Sequence, residues 1–293
     1  MDIKKVSIVV PAYNEEEAIA GDLEVILETM EGSRWDYEVI VVDDASTDRT
    51  SEIVRGFEER GVRLLEHRDN CGGGFSRNTG IKAASGDVVV VTDGDGTYPN
   101  QDIPRLLEAM EEDNLDMVIG ARRKEAGTMK FLRTPAKWFI RKLAMWMSGF
   151  NIPDLNSGLR ALRRDVFMEF MEILPWGHSW VSTITLAMLS SGYQVGYVDI
   201  DYYPRKGAST FSPIKDTYSY LTLVIRVITW FNPLKVFIPT AFALLVVGVG
   251  KIVFDSIEYH YFRVTATTVI VILVAIQIAA LGLLADLIVK QRR

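Results

Sequence analysis

Cysteine is almost missing from this chain. Cys71 stands alone among 293 residues, so no internal disulfide framework holds the fold, and the composition fits a reducing compartment. Positive charge is also in deficit: 32 Lys and Arg face 38 Asp and Glu, a net charge of −6 with an isoelectric point of about 5.3. That balance excludes nucleic acid as the main partner, because phosphate backbones are bound through basic surfaces. No signal peptide is expected either. The apolar stretch after Met1-Asp2-Ile3-Lys4-Lys5 is brief and broken by Pro11, so it reads as a first strand. Internal repeats and low-complexity tracts are absent from the sequence as well.

What is present is apolar residue, 48% of the chain, with the longest runs near the C-terminus. Val236–Phe254 carries one charge, Lys251, and Val264–Val289 carries Gln277 and Asp286. A hydrocarbon core of about 30 Å needs roughly 20 helical residues, so both runs are long enough to span. Two buried core helices of a soluble protein are the alternative, but the runs are consecutive and separated only by Asp255–Arg263. Lys235 precedes the first span, and Lys290, Arg292 and Arg293 follow the second, while the loop holds Asp255, Glu258 and Arg263. The bias puts both ends of the chain on the cytoplasmic side. Ile214–Trp230 predicts an interfacial helix before Asn232-Pro233, the alternative being a last helix packed on the head. The expected division is a cytoplasmic α/β head over 1–213, an interfacial linker over 214–233 and a transmembrane hairpin over 234–293. Gly248, Gly250, Ala279, Ala280 and Gly282 would permit close helix contact, which makes a homo-oligomer plausible.

In the head, short apolar strands alternate with helical periodicity. Val6–Val10, Glu38–Val42, Val62–Glu66, Val88–Thr92 and Met117–Gly120 read as strands, with helices over Glu15–Met30 and Thr50–Arg60 between them. Near-continuous apolar strands alternating with helices predict a mostly parallel sheet covered on both faces. Beyond residue 121 the pattern loosens: a helix over Ala136–Met147, a loop or strand over Asp154–Leu162, a helix over Val181–Ser191 and a last strand over Val195–Tyr203.

Polar clusters sit where these strands end. Pro11-Ala12-Tyr13-Asn14-Glu15 follows the first, Asp43-Asp44-Ala45-Ser46-Thr47-Asp48 the second, and Asp93-Gly94-Asp95-Gly96 the fourth. Open α/β sheets bind ligands at the carboxyl ends of their strands, so the three turns predict one pocket. Asp93 and Asp95 offer hard oxygen ligands to a divalent cation, which can grip a diphosphate. Thr47 or Asp48 can cap the next helix, leaving Asp43 and Asp44 for a base or ribose. Asn70-Cys71-Gly72-Gly73-Gly74-Phe75-Ser76-Arg77-Asn78 reads either as a flexible turn or as a loop whose backbone approaches a ligand, with Arg77 able to meet a phosphate.

The head resembles the family 2 glycosyltransferases of GT-A fold. The likeness runs through Val9-Val10-Pro11-Ala12-Tyr13-Asn14-Glu15, Val41-Val42-Asp43-Asp44-Ala45-Ser46-Thr47-Asp48, Arg77-Asn78-Thr79-Gly80 and Asp93-Gly94-Asp95. Head and tail together resemble the polyprenyl-phosphate glycosyltransferases, dolichol-phosphate mannose synthases and bacterial polyprenyl-phosphate glucosyltransferases among them. Asp154-Leu155-Asn156-Ser157-Gly158-Leu159-Arg160 and Pro204-Arg205-Lys206-Gly207-Ala208-Ser209 carry that likeness. The resemblance implies a nucleotide-sugar donor lined by Pro11, Tyr13, Glu15 and Asp43, and Mg²⁺ or Mn²⁺ on Asp93 and Asp95. It also implies a polyprenyl-phosphate acceptor, dolichyl or undecaprenyl, met by Arg122, Arg133 and Arg205, with Ser157 and Ser209 in support. Two departures from mannose-synthase detail, Thr97 in place of a glutamine and Thr210 in place of a lysine, favour a UDP-sugar over GDP-mannose. Lys206 or Lys215 would then supply the nearby charge.

The Trp180–Thr185 stretch, where related enzymes place an acidic base, holds no carboxylate. A phosphate acceptor needs none, since a phosphomonoester with a second pKa of about 6 is already the nucleophile at neutral pH. In-line attack then implies inversion at the anomeric carbon. His178 reads as a loop support or a site residue. A membrane polysaccharide synthase, or a transferase with another lipid acceptor, is one rival; the synthases share a Gln-x-x-Arg-Trp motif that this chain lacks, and two spans are too few for a polymer channel. A non-catalytic membrane scaffold is another, and the retained Asp43, Asp93 and Asp95 argue against it.

Overall fold

The computed structural model describes residues 2–122, 152–177, 179–205 and 232–291, with Met145, Gly149 and Thr229. The chain divides into two compact units, Met1–Leu221 and Thr222–Arg293. The expected helix over Ala136–Met147, all but Met145, and the expected interfacial helix, all but Thr229, lie outside the described residues.

The first unit is built on seven strands: β1 Lys5–Ala12, β2 Asp36–Asp43, β3 Val62–Glu66, β4 Val88–Val91, β5 Met117–Arg122, β6 Arg160–Arg163 and β7 Val195–Ile200. They form one sheet in the order β3-β2-β1-β4-β6-β5-β7. Every pairing is parallel except those of β6, which runs antiparallel between β4 and β5. All four valines of β4 are fully buried, the signature of a strand covered on both faces. The stretch read as loop or strand is therefore a loop that ends in a short central strand.

Helices begin where turn chemistry releases the chain. The first runs over Ile19–Glu31 and buries Ile19, Leu23, Ile26, Leu27 and Met30, one stripe at helical spacing. It starts four residues later than the apolar periodicity predicts, because Asn14 holds a left-handed φ of 55° and the Glu15 amide donates to Thr50 Oγ1 at 2.8 Å. The second covers Thr50–Arg55, and Glu58–Arg60 tightens into a separate 3-10 turn after Gly56. The glycine-rich segment is itself a helix, Gly73–Ala83. Ile103–Glu112 and the almost wholly buried Trp180–Ser190 complete the cover.

The second unit contains two 26-residue helices, Leu234–Tyr259 and Ala266–Gln291, which pack against each other as a hairpin. Their mean hydropathies are 2.2 and 2.7, and large apolar side chains face outward, Phe242 at 67% and Ile257 at 70% exposure. Core helices of a soluble protein do not look like this. Gly248 lies against Ile272 and Gly282 against Phe237, so these two small residues serve contact within the hairpin. Near the turn, Lys251 pairs with Asp255 at 3.0 Å, and Asp255 also accepts from Thr265 at 3.3 Å.

Candidate active site

The three polar turns open on one edge of the sheet because β1 pairs in parallel with both β2 and β4. The chain leaves β1 toward β2 on one side, and β4 lies on the other. That reversal of order is where an open α/β sheet presents a crevice. Two non-glycine residues hold positive φ at this edge, Asn14 at 55° and Ala45 at 62°. Their turns are laced together: Ser46 Oγ accepts from the Asn14 amide at 2.9 Å, and Asn14 Oδ1 accepts from the Thr47 amide at 2.7 Å. Asp48 accepts from the Thr50 amide at 3.0 Å and the Glu16 amide at 3.2 Å, so it ties the second helix to the first turn.

Asp93, Asp95 and Glu15 form the charged centre. Thr97, at the position of the missing glutamine, donates through its hydroxyl to Asp95 Oδ1 at 2.5 Å. Arg205 reaches Glu15 Oε1 at 2.5 Å and Asp95 Oδ2 at 3.5 Å. It is brought there by the Tyr203 amide, which donates to the Thr97 carbonyl at 2.9 Å. Arg77 pairs with Asp93. Burial, followed by the repulsion of Asp95, Asp93 and Asp22, pushes the Glu15 carboxyl up to about 7 against the pull of Arg205. Burial and then Asp93 raise Asp95 in the same direction. A centre whose carboxylates resist ionisation together favours a bound cation.

Beneath the acidic turn lies a support that sequence reasoning missed. Buried Asp22 accepts from the Gly96 amide at 2.8 Å and from Asn100 Nδ2 at 3.0 Å, while Thr92 donates to Asn100 Oδ1 at 2.7 Å. A carboxylate placed on the buried stripe of an amphipathic helix was the available signal. Gly94 is required for space, since a Cβ there would lie 2.7 Å from Ile19 Cδ1.

Several of the expected phosphate or nucleotide ligands already have protein partners. Asp44 is buried, accepting from His67 Nδ1 at 2.7 Å and from the Cys71 and Gly72 amides at 3.0 and 2.7 Å, so its carboxylate is taken up internally. Its neighbour Asp43 accepts from Ser46 and Ser51. Arg77 is buried and paired with Asp93. Arg122 forms a two-pronged pair with Asp154, Nε to Oδ2 at 2.7 Å and Nη2 to Oδ1 at 3.0 Å. Within the triple glycine, Gly74 packs closely on protein backbone: a Cβ there would meet the Pro175 carbonyl at 2.5 Å. Asp44, His67 and Cys71 also bring one donor atom each within 4.8 Å of one another, a grouping the sequence reading did not anticipate.

Tyr13 is 40% exposed at the rim, and Pro11 pairs with Val42 one residue before β1 ends. Ser157 is fully buried with its hydroxyl unpartnered among the described residues. Arg133, His178, Lys206, Ser209, Thr210 and Lys215 lie outside the described residues. No acidic residue falls in the first turn of Trp180–Ser190, as the sequence indicated.

The model of glycosyl transferase family 2 matches residues 7–171, and the model of the GtrB C-terminal hairpin matches 232–290. A dolichyl-phosphate hexose transferase of Haloferax volcanii is 34% identical over 71% of this chain and 86% of its own length. The low-salt glycan biosynthesis hexosyltransferase Agl6 of the same organism is 28% identical over 84% of this chain, which spans 58% of that relative. Among solved structures, glucosyl-3-phosphoglycerate synthase from Mycobacterium tuberculosis, in complex with Mn²⁺, UDP and phosphoglyceric acid, superposes with a TM-score of 0.60 at 20% identity. That superposition covers 77% of this chain and 78% of the other, and it speaks to the fold alone.

Proposed function

The chain belongs to glycosyl transferase family 2, a glycosyltransferase of GT-A fold with a GtrB-type membrane hairpin, and we propose that it moves a sugar from a nucleotide-sugar to the phosphate of a polyprenyl phosphate. The observation that carries this reading is the acidic centre at the sheet edge, with Arg205 drawn into it, in a chain that also has two membrane-length apolar helices. A UDP-sugar is the favoured donor. The head over 1–213 and both chain ends would face the cytoplasm, with 214–233 at the interface and 234–293 in the bilayer.

The donor set suits a hard divalent cation, Mg²⁺ or Mn²⁺. Asp93 and Asp95 present carboxylate oxygens from one turn, and the raised Glu15 and Asp95 carboxyls mark a potential that welcomes positive charge. Such a cation, when bound, neutralises charge on the leaving diphosphate. The chain's own residues do the rest. Pro11, Tyr13 and Asp43 would line the nucleoside, and Asp22 and Asn100 brace the acidic turn. Arg205 can exchange its carboxylate partners for phosphate oxygens, which a planar guanidinium pairs with equally well. Arg122, and Arg133 from the family pattern, would steady the acceptor phosphate, with Ser157 in support. An acceptor phosphate oxygen attacks the anomeric carbon, the bond from that carbon to the diphosphate oxygen breaks, and the nucleoside diphosphate leaves with the electron pair. No proton has to be removed from the acceptor, consistent with a first turn of Trp180–Ser190 that holds no carboxylate.

The test is a donor panel on the purified full chain in nanodiscs. Polyprenyl phosphate, Mg²⁺ or Mn²⁺, and UDP- and GDP-sugars are supplied, and lipid-linked product is followed with Asp95→Ala as control. Cation-dependent product from one donor is expected, lost in the variant. Turnover that ignores the lipid phosphate would sink the acceptor assignment.

A further inference from the structure

We infer that Arg160 is a positioning residue for Asp93, acting through the Ser157-Gly158 turn and the Trp180 ring. This rests on the reading of Asp93 as a cation ligand made above, but the residues involved belong to a different layer of the protein.

Asp93 is confined from two directions. Arg77 pairs with its Oδ1. On the other side Gly158 packs so closely that a Cβ there would lie 2.5 Å from Asp93 Oδ2. The Gly158 turn is not held by regular structure, since β6 begins only at Arg160. It is held by side chains. The Gly158 amide donates to Tyr98 Oη at 2.7 Å, and Ser182 donates to Asn156 Oδ1 at 2.7 Å. Arg160 supplies the central clamp: Nη2 donates to the Ser157 carbonyl, while Nη1 donates to the Val181 carbonyl at 2.9 Å and Thr185 Oγ1 at 3.1 Å. One guanidinium thus ties the turn behind Asp93 to the buried helix Trp180–Ser190.

The same helix also supports the opposite arm. The guanidinium carbons of Arg77 and Arg160 lie 5.6 and 5.9 Å from the centroid of the Trp180 ring, and Trp180 Nε1 donates to Asn78 Oδ1 at 2.7 Å. Trp180 is therefore the common wall for Arg77, which pairs with Asp93, and for Arg160, which clamps the turn behind it. Arg160 is fully buried, and among the described residues no carboxylate lies within ion-pair distance of it. Burial lowers its pKa to about 10, and the like charge of Arg77 acts in the same direction. A buried cation without a carboxylate is a poor choice for stability alone, because an apolar side chain would fill the space at less cost. A rigid, forked donor that fixes a turn beside a ligand is a reason to keep it.

The experiment uses the full chain in detergent, with Mn²⁺ as probe. Free Mn²⁺ is read by electron paramagnetic resonance with and without UDP, alongside the melting temperature and the separate KM and kcat values. Three variants approach the clamp from different sides: Arg160→Lys keeps the charge and loses the fork, Thr185→Val removes one anchor, and Gly158→Ala pushes on Asp93 directly. Gly158→Ala and Arg160→Lys are expected to weaken Mn²⁺ binding about tenfold, as second-layer changes at metal sites do, and Thr185→Val about threefold. The loss should appear in donor KM before kcat. If Arg160→Lys does not fold, the other two carry the test. A drop in melting temperature with Mn²⁺ affinity within about twofold of the parent in both would overturn the inference and leave Arg160 a purely structural residue. Failure of the parent chain to bind Mn²⁺ would instead overturn the cation role of Asp93, and this inference with it.

Discussion

Arg122 and Asp154 give the sharpest energetic prediction. Their side chains are only 11% and 12% exposed and share a two-pronged contact. Replacing Arg122 by Met keeps most of the bulk and strands a buried carboxylate. Breaking a buried pair from one side costs about 3–5 kcal/mol, because the remaining charge has lost its partner without regaining water. For a unit of this size each kcal/mol lowers the melting temperature by about 2–4 °C, so Arg122→Met should fall by about 10 °C. The double variant Arg122→Met with Asp154→Asn should recover at least half of that loss. Asparagine removes the stranded charge and retains an acceptor for the Asn156 amide, now at 3.0 Å from Asp154 Oδ1. Burial opposes ionisation of Asp154, but Arg122 and the backbone amides outweigh it and hold the carboxyl below its ordinary 3.8. A lowered carboxylate contributes stability above its unfolded pKa and loses it as pH falls through the folded value. The gap between parent and Arg122→Met should therefore close in acid: the parent loses the pair below 3.8, and the variant is relieved as its buried carboxyl protonates. Thermal melts across a pH series measure this. A single variant that melts within 2 °C of the parent, or a double variant no better than the single, would refute the buried-pair reasoning.

Three further outcomes follow from other sites. Glu15, raised to about 7 from 4.5, makes folding most favourable below pH 4.5 and progressively less so as pH rises to about 7; Glu15→Gln should flatten that slope, read as the difference between the two melting-temperature profiles. Ala45 holds a φ of 62°, so Ala45→Gly should be neutral or stabilising by up to about 1 kcal/mol while Ala45→Val should cost more than about 1 kcal/mol, both by chemical denaturation. In the hairpin, Gly282→Val places a Cβ 2.5 Å from Phe237 Cβ and should shorten the thermal half-life of the detergent-purified chain, whereas Gly250→Val, with nothing within 4 Å, should leave it unchanged.

The parts of this protein legible in its sequence are those written in local pattern. Continuous valine runs announce strands buried on both faces, and β4 is four valines with no exposed surface. Carboxylates directly after such runs land at the sheet edge because a parallel strand ends there, which is why Glu15, Asp93 and Asp95 meet without being neighbours in sequence. Hydropathy marks the hairpin for the same reason: the signal and the structure share one length scale. Helix starts are less legible. Apolar spacing extends the first helix back to Glu15, but Asn14 and Thr50 take the chain into a turn first, a contact 35 residues apart that no local window contains.

Arginines are the least legible of all, and the reason is physical. A guanidinium offers the same five donors to a phosphate, a carboxylate or a carbonyl, so residue type alone cannot name its partner. Arg122 finds Asp154 across 32 residues, and Arg205 finds Glu15 across 190. Arg160 finds three oxygens of its own layer instead. What separates these cases is burial. Arg160 is shut in completely, and its partners cannot be exchanged without unpacking the unit, whereas Arg122 is 11% exposed and would give up part of its hold on Asp154 to meet a phosphate. Arg205 is 37% exposed, bonded to acids whose ionisation burial opposes, and is the arginine of the three with least to lose by turning to a phosphate. Arg205→Lys, which keeps the charge but not the fork, should accordingly leave the melting temperature within about 2 °C of the parent while raising the KM for a diphosphate-linked donor severalfold. An unchanged KM would assign Arg205 to the acidic centre alone.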